Sequence, residues 1–283
     1  MYAVSPLRYP GAKWRLENFV SAILKDNNLE GGHYAEPFAG GASLALSLLL
    51  NGTVSEVHLN DLDRSVFAFW KSITEYSDDL IKRIISTPVT MDVWFTQREI
   101  QKNKKNADIL DLGFSTFFLN RTNRSGILTA GVIGGKNQIG PWKIDARYNK
   151  KNLVDRIARI MPYRSRIHAN NIDALQFIRH TIPYLPQKSF IYLDPPYYVK
   201  GQDLYMNAYE PENHAELASA VLFDLKHPWM VSYDDMPEIH QLYCGVKKEC
   251  YILRYSASQQ RKGQEVVFLE PKLRIQANLL HNT

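Results

Sequence analysis

A carboxylate, a fixed backbone carbonyl and an aromatic face lie side by side in Asp194-Pro195-Pro196-Tyr197, directly after a short apolar run at 190–193. The run reads as a buried parallel strand. Two consecutive prolines donate no ladder hydrogen bonds, so the strand must stop there and the turn is stiff. Ligands of open α/β sheets bind outside the carboxyl ends of the strands. Asp194 and the Pro195 carbonyl are two acceptors suited to the two hydrogens of an exocyclic amino group. Tyr197 offers a surface on which a planar ring can stack.

A second group of residues reads as a nucleoside site. Glu36-Pro37-Phe38-Ala39-Gly40-Gly41-Ala42 joins a strand to a helix through small residues, which let backbone and ligand approach closely. No G-x-G-x-x-G and no Walker lysine accompany it, which argues against NAD and ATP. About twenty residues on, the next strand ends at Asn60-Asp61-Leu62-Asp63. An acid there can accept both ribose hydroxyls. Asp61 is favoured for the ribose and Asp63 for capping the following helix. Asp173, near the end of the third strand, can reach an adenine amino group or cap the helix starting at residue 174.

These groups need a sheet to position them, and the chain alternates accordingly. Strands are expected at 33–38, 56–60, 166–169, 190–193, 229–233, 250–255 and 265–269. Helices are expected at 43–50, 63–73, 174–180, 213–225 and 237–243. This pattern implies an α/β fold with a mostly parallel, Rossmann-like sheet and right-handed crossovers. Residues 75–165 differ. They carry helices at 77–85, 91–102, 109–119 and 151–160, with a Gly/Asn-rich stretch at 120–140. They read as an insertion forming a second, mostly helical lobe. Gly134-Gly135-Lys136-Asn137 reads as a hairpin turn within it, with Trp142 and Tyr148 as core.

The net charge is +5, but residues 98–170 hold fifteen Lys/Arg against five Asp/Glu, a balance of +10 that leaves −5 elsewhere. A basic segment in an otherwise acidic chain points to a polyanion-binding face. At 45% hydrophobic and 22% charged residues, the composition is that of a soluble globular protein. Two cysteines, Cys244 and Cys250, offer no disulfide framework or zinc cluster and fit a reducing cytoplasm. The first residues lack a signal-peptide shape, and the longest apolar run, 42–50, is too short to span a bilayer.

Taken together, these motifs resemble the Dam-like (D12 class, alpha group) methyltransferases, which act on adenine in DNA. Tyr9-Pro10-Gly11-Ala12-Lys13 is similar to the family's N-terminal element, and Glu36–Gly41 to its cofactor loop. Asn60-Asp61 resembles its ribose motif. Leu119-Asn120-Arg121-Thr122 with Gly126 resembles the start of its DNA-reading loop, and Asp194-Pro195-Pro196-Tyr197 its catalytic signature. The polar loop at 256–263 with its following strand resembles a C-terminal hairpin. The chain departs from the pattern at Gly11-Ala12, where Gly-Gly is usual, and at Ala42, where a third glycine is common. It also has Arg124 about where members that read GATC carry an aromatic wedge, so that specificity is not implied.

The resemblance implies S-adenosylmethionine as cofactor, contacted by Tyr9, Lys13, Phe38, Gly40, Asp61, Asp173 and Asp194. It implies catalysis by Asp194, Pro195, Pro196 and Tyr197 without a metal, on an adenine flipped out of the duplex. Asn120, Arg121, Arg124, Lys136 and Lys143 are the expected DNA contacts. The implied domains are a discontinuous catalytic unit, 1–74 with 166–283, and an inserted recognition unit, 75–165. The partner is double-stranded DNA and the setting bacterial or phage-encoded. A cognate restriction endonuclease and the oligomeric state stay open. So do two other readings: methylation of RNA or a protein amide, and a DNA-binding relative that has lost catalysis.

Overall fold

The computed structural model describes residues 4–9, 13–198, 209–254 and 262–275. Seven strands form one sheet: β1 (His33–Glu36), β2 (Glu56–Asn60), β3 (Ile167–Asn170), β4 (Ser189–Leu193), β5 (Trp229–Asp234), β6 (Lys247–Arg254) and β7 (Lys262–Leu269). Their order is β3-β2-β1-β4-β5-β7-β6. β3, β2, β1, β4 and β5 are parallel, and β7 is antiparallel to both its neighbours. The chain winds outward from β1 to β3, then returns to lay β4 on the other side of β1. The reversal opens a crevice between the ends of β1 and β4. Both β4 and β5 are buried along their whole length, as expected of strands covered on both faces.

Helices cover each face. One apolar cluster contains residues of α1 (Glu17–Asp26), α2 (Ser43–Leu50) and α3 (Arg64–Glu75). The other contains residues of α8 (Ala174–His180), α9 (Pro211–Ser219) and α10 (Pro237–Leu242). Between α3 and β3 come α4 (Ser77–Ser86), α5 (Met91–Lys102), α6 (Ile109–Thr122) and α7 (Lys150–Ile160). Their apolar residues Ile84, Trp94, Phe117 and Ile157 are continuous with the first cluster. α6 lies close against α3, with Phe69 and Phe117 stacked at 6.1 Å. Gly113 permits this approach, because a Cβ there would sit 2.7 Å from the Ala68 carbonyl oxygen and 2.1 Å from Ser72 Oγ.

Most expected elements form, with shifts at their ends. The strand expected at 33–38 stops at Glu36, and α1 was not anticipated. The helix expected at 213–225 begins at Pro211 and widens into a π-turn at Ala220–Asp224, where Leu225 N–H reaches back to the Ala220 carbonyl at 3.1 Å. Residues 256–261 of the expected polar loop lie outside the described residues, and β7 already begins at Lys262.

Residues 134–137 do form a turn, but no named strand flanks it, only an isolated bridge between Asn123 and Val132. The Gln138 side chain holds it, donating to the Ile133 carbonyl at 2.8 Å and accepting from Ile144 N–H at 2.8 Å. Tyr148 is core at 5% exposure, whereas Trp142, expected in the core, is 71% exposed. Its backbone belongs to an irregular segment that packs through Ile144 instead.

Ala42 precedes α2 with φ 45° and ψ 34°, a left-handed conformation that costs an alanine more than a glycine. Ala42→Gly is therefore expected to stabilise the fold by about 0.5–1 kcal/mol, because relief of backbone strain exceeds the added chain entropy. The check is urea unfolding: the midpoint should rise with an unchanged slope, and a fall would contradict the strain argument.

Candidate active site

All seven residues expected at the cofactor line one cleft at the crevice: Tyr9, Lys13, Phe38, Gly40, Asp61, Asp173 and Asp194. The turn after β1 is shaped by aromatic contact. Tyr9 packs on Gly40 and Gly41 so closely that a Cβ on Gly40 would sit 2.6 Å from its ring. Trp70 Nε1 donates to the Gly40 carbonyl at 2.9 Å from the other side. The Asp61 carboxylate accepts from Gly40 N–H and Asp63 N–H, each at 2.9 Å, which ties the end of β2 to the glycine turn. Burial pushes the Asp61 pKa up to about 7 despite those two donors.

The two neighbouring acids each do more than one thing. Asp63 caps α3, accepting from Ser65 N–H at 2.9 Å, and pairs with Lys104 at 2.8 Å. Asp173 caps α8, accepting from Leu175 N–H at 2.9 Å, and also lines the cleft. Capping and cleft-lining coexist at this residue.

Asp194 sits where β4 ends, with about a quarter of its side chain (24%) exposed. Ser232 Oγ on β5 donates to its Oδ1 at 2.9 Å, and Lys13 Nζ lies 3.1 Å from the same atom. Lys13 is itself only 7% exposed and pairs with Glu265 on β7 at 2.7 Å. Tyr197 completes the group: its hydroxyl accepts from Lys13 Nζ at 3.0 Å and donates to Glu265. Burial raises the Asp194 pKa, Lys13 counters that, and the Glu265 charge adds to it.

Several expectations change here. Tyr197 was expected to present its ring to a bound base; it is 5% exposed, does not line the cleft, and spends its hydroxyl on the Lys13–Glu265 pair. Pro195 is buried, whereas Pro196 lines the cleft. Pro10, Gly11 and Ala12 lie outside the described residues.

Asn120 and Arg121, expected at the DNA, are instead buried at the end of α6. Asn120 grips Arg8 through both its N–H and its carbonyl, each at 2.7 Å, and donates to the Gly126 carbonyl. Arg121 donates to the Pro6 carbonyl at 2.7 Å through Nε, and again through Nη2. Burial beside Arg156 and Arg8 lowers its pKa to about 9. These two side chains hold the segment 6–8 rather than face outward. Arg124, Lys136 and Lys143 are exposed, as a polyanion contact requires.

Sequence reasoning missed Glu265 and Ser232 as parts of the site, and it read Glu36 only as part of the cofactor loop. Glu265 carried one signal, a lone acid opening the otherwise apolar stretch at 266–269. It also missed Arg8 and Arg156, which the fold gathers beside Arg121.

A model of the D12 class N6 adenine-specific DNA methyltransferases matches residues 9–256. The chain belongs to that family. It is accordingly a methyltransferase. It is 23% identical over 206 residues to the type II methyltransferase M.MjaIII of Methanocaldococcus jannaschii, a match covering 68% of each chain. Among solved structures it is similar to the rRNA methyltransferase aviRa from Streptomyces viridochromogenes, with 13% identity, a TM-score of 0.42, and coverage of 93% of this chain and 86% of that one. It is also similar to TrmN from Thermus thermophilus, with 11% identity, a TM-score of 0.40, and coverage of 89% of this chain and 48% of that one, about half its length. Among the described residues no helix is long and apolar enough to cross a membrane.

Glu36 closes β1 inside this D12-class cleft, 4% exposed, with Tyr34 donating to it at 3.1 Å. Burial pushes its pKa up to about 8. The folded form thus holds this proton more tightly than the unfolded chain does. The resulting stabilisation is complete below the ordinary carboxylate pKa and is lost as pH rises through about 8. Glu36→Gln should therefore raise the melting temperature of the ligand-free protein at pH 9 by roughly 3 °C or more, and by less at pH 5. An equal shift at both pH values would show that Glu36 is not protonated in the fold.

Proposed function

We propose that this chain transfers a methyl group from S-adenosylmethionine to the N6 amino group of adenine in a short sequence of double-stranded DNA. The observation that carries the reading is Asp194, held by Ser232 and Lys13 and open to the same cleft as Phe38, Gly40 and Asp61. The residues fit an adenosyl group. Asp61 is an acceptor at a strand end, Phe38 and Leu62 are apolar walls, and Tyr9 lies over the glycine turn, within 2.6 Å of where a Cβ on Gly40 would sit. When bound, S-adenosylmethionine supplies the electrophilic methyl on its sulfonium.

On this reading Asp61 accepts the ribose hydroxyls, and Phe38 packs beside the purine. Asp194 accepts a hydrogen bond from the target amino group, with the stiff Pro195-Pro196 turn holding it at the cleft, which turns the nitrogen lone pair toward the methyl. As the N–C bond forms and the methyl–sulfur bond breaks to leave a neutral thioether, positive charge develops on that nitrogen; the Asp194 carboxylate stabilises it, and the surplus proton leaves to solvent. Tyr197 acts through its hydroxyl, fixing Lys13 and hence the Asp194 carboxylate. The base must leave the duplex to reach this point, at a cost of about a few kcal/mol of unstacking.

Residues 75–165 serve as the recognition unit. Arg124, Lys136 and Lys143 contact DNA from the exposed loop, joined at its base by Arg8, Arg147 and Arg156. Such cations position the duplex through its phosphates.

The test is incubation of the pure protein with unmethylated genomic DNA and S-adenosylmethionine, followed by long-read mapping. Methyladenine confined to one short motif is the expected result. Cofactor binding without DNA methylation would redirect the reading to an RNA or protein amide, and absence of both would indicate a binding protein. Asp194→Ala should cut the rate by a factor of about 10²–10³ or more while DNA binding persists. Tyr197→Phe should cost about tenfold in kcat, because the buried Lys13–Glu265 pair loses a partner, with KM for DNA little changed. Wild-type turnover in the Phe variant would remove the hydroxyl from the mechanism.

A further inference from the structure

Three imidazoles and a carboxylate meet on the sheet away from the cleft, at the starting end of the strands. His33 and Glu56 are the first residues of β1 and β2 and are partners in the parallel ladder. His58 follows Glu56 by two, so strand alternation puts both side chains on the same face. His58 is in turn the ladder partner of His168 on β3. His33 Nδ1 and His58 Nε2 are 3.0 Å apart, and His33 Nε2 is 3.8 Å from Glu56 Oε1. His168 Nε2 lies 2.6 Å from the second oxygen, Glu56 Oε2. One ligand atom from each of His33, Glu56 and His58 falls within 4.8 Å of the others.

We infer that His33, Glu56 and His58 form a binding site for one divalent transition-metal ion, zinc by preference, with His168 orienting the Glu56 carboxylate. Two nitrogens and one oxygen are a donor set that suits zinc and leaves a position for water. Ligand atoms around a tetrahedral zinc stand about 3.2–3.5 Å apart, and one atom from each of the three residues already lies within 4.8 Å of the others, so His33 must turn to offer a single nitrogen and the set must draw in by about an ångström. The ladder fixes the backbone of all four residues, which makes the set preorganised. Ligating carboxylates are held in place by hydrogen bonds to their other oxygen, and His168 is placed to supply one. Partial exposure, 19% for His33 and 34% for Glu56, gives an ion a path in, while His58 at 9% closes the inner side. The bound ion would clamp β1 to β2 at the end of the sheet opposite the methyl-transfer cleft.

The test uses the untagged full chain, stripped with chelator and titrated with zinc by calorimetry, with melting temperature followed in parallel. The expected result is one ion per chain, a melting temperature raised by several degrees and reversed by chelator, and a cobalt(II) form with the strong visible bands of tetrahedral coordination. His33→Gln and Glu56→Gln should each weaken binding about tenfold or more while leaving the circular dichroism spectrum of the ligand-free protein unchanged. Both positions are partly exposed, so neither variant is at risk of simply failing to fold, as one at His58 would be. Absence of stoichiometric binding would overturn the inference, and so would binding that survives both substitutions. None of these readouts depends on methylation.

Discussion

One buried cation organises the active end of this molecule. Lys13 is nearly sealed from water and faces two carboxylates, Asp194 and Glu265, and the hydroxyl of Tyr197. Removing such charges from water costs several kcal/mol each, which only close pairing offsets. The pairing therefore dictates geometry. It draws the N-terminal segment, the end of β4 and the antiparallel strand β7 to a single point. The chain Tyr192–Ser232–Asp194–Lys13–Glu265 runs through strands β4, β5 and β7 without a break in hydrogen bonding or ion pairing. Burial is what raises the Asp194 pKa; Lys13 works against that shift and the neighbouring Glu265 adds to it.

The same effect of burial recurs across the crevice. Glu36, Asp61 and Asp194 line it, and burial holds all three above the ordinary carboxylate range. A protein tolerates such a set where a ligand completes it. On the proposed reading these oxygens face the cofactor's sulfonium and accept hydrogen bonds from its hydroxyls and from the target amino group. The doubly wound sheet supplies the location, since its winding reverses only between β1 and β4.

Parts of this were legible because they rest on local rules. The helix Ser43–Leu50 and the strand Glu56–Asn60 follow from periodicity and bounding turns, Asp63 from capping preference, and Asp194 from a strand that two prolines must end. What escaped depends on pairing at long range. Lys13 and Glu265 are 252 residues apart, and nothing in either neighbourhood names the other. Asn120 and Arg121 have the composition of a nucleic-acid contact, but their surroundings are set by the segment at 6–8, which buries them. Trp142 failed in the opposite sense: its type favours burial, and the loop around Gln138 leaves it outside. The strand pair Glu56 and His58 was visible by alternation, yet His33 and His168 join it only through ladder register.

The segment from Ser5 to Lys13 has an unusual set of attachments. Arg121 and Asn120 fasten it at Pro6 and Arg8, Tyr9 rests on the glycine turn, and Lys13 ends at Asp194. Its described residues tie the root of the exposed loop to the glycine turn, and Lys13 reaches the point where β4 stops. Its attachments reach both sides of Arg124: Arg8 donates to the Asn123 carbonyl, and Asn120 bridges the Arg8 and Gly126 carbonyls. Asn120 also lines the cleft, so the root of the exposed loop and the cleft share one side chain, and a shift at either is felt at the other.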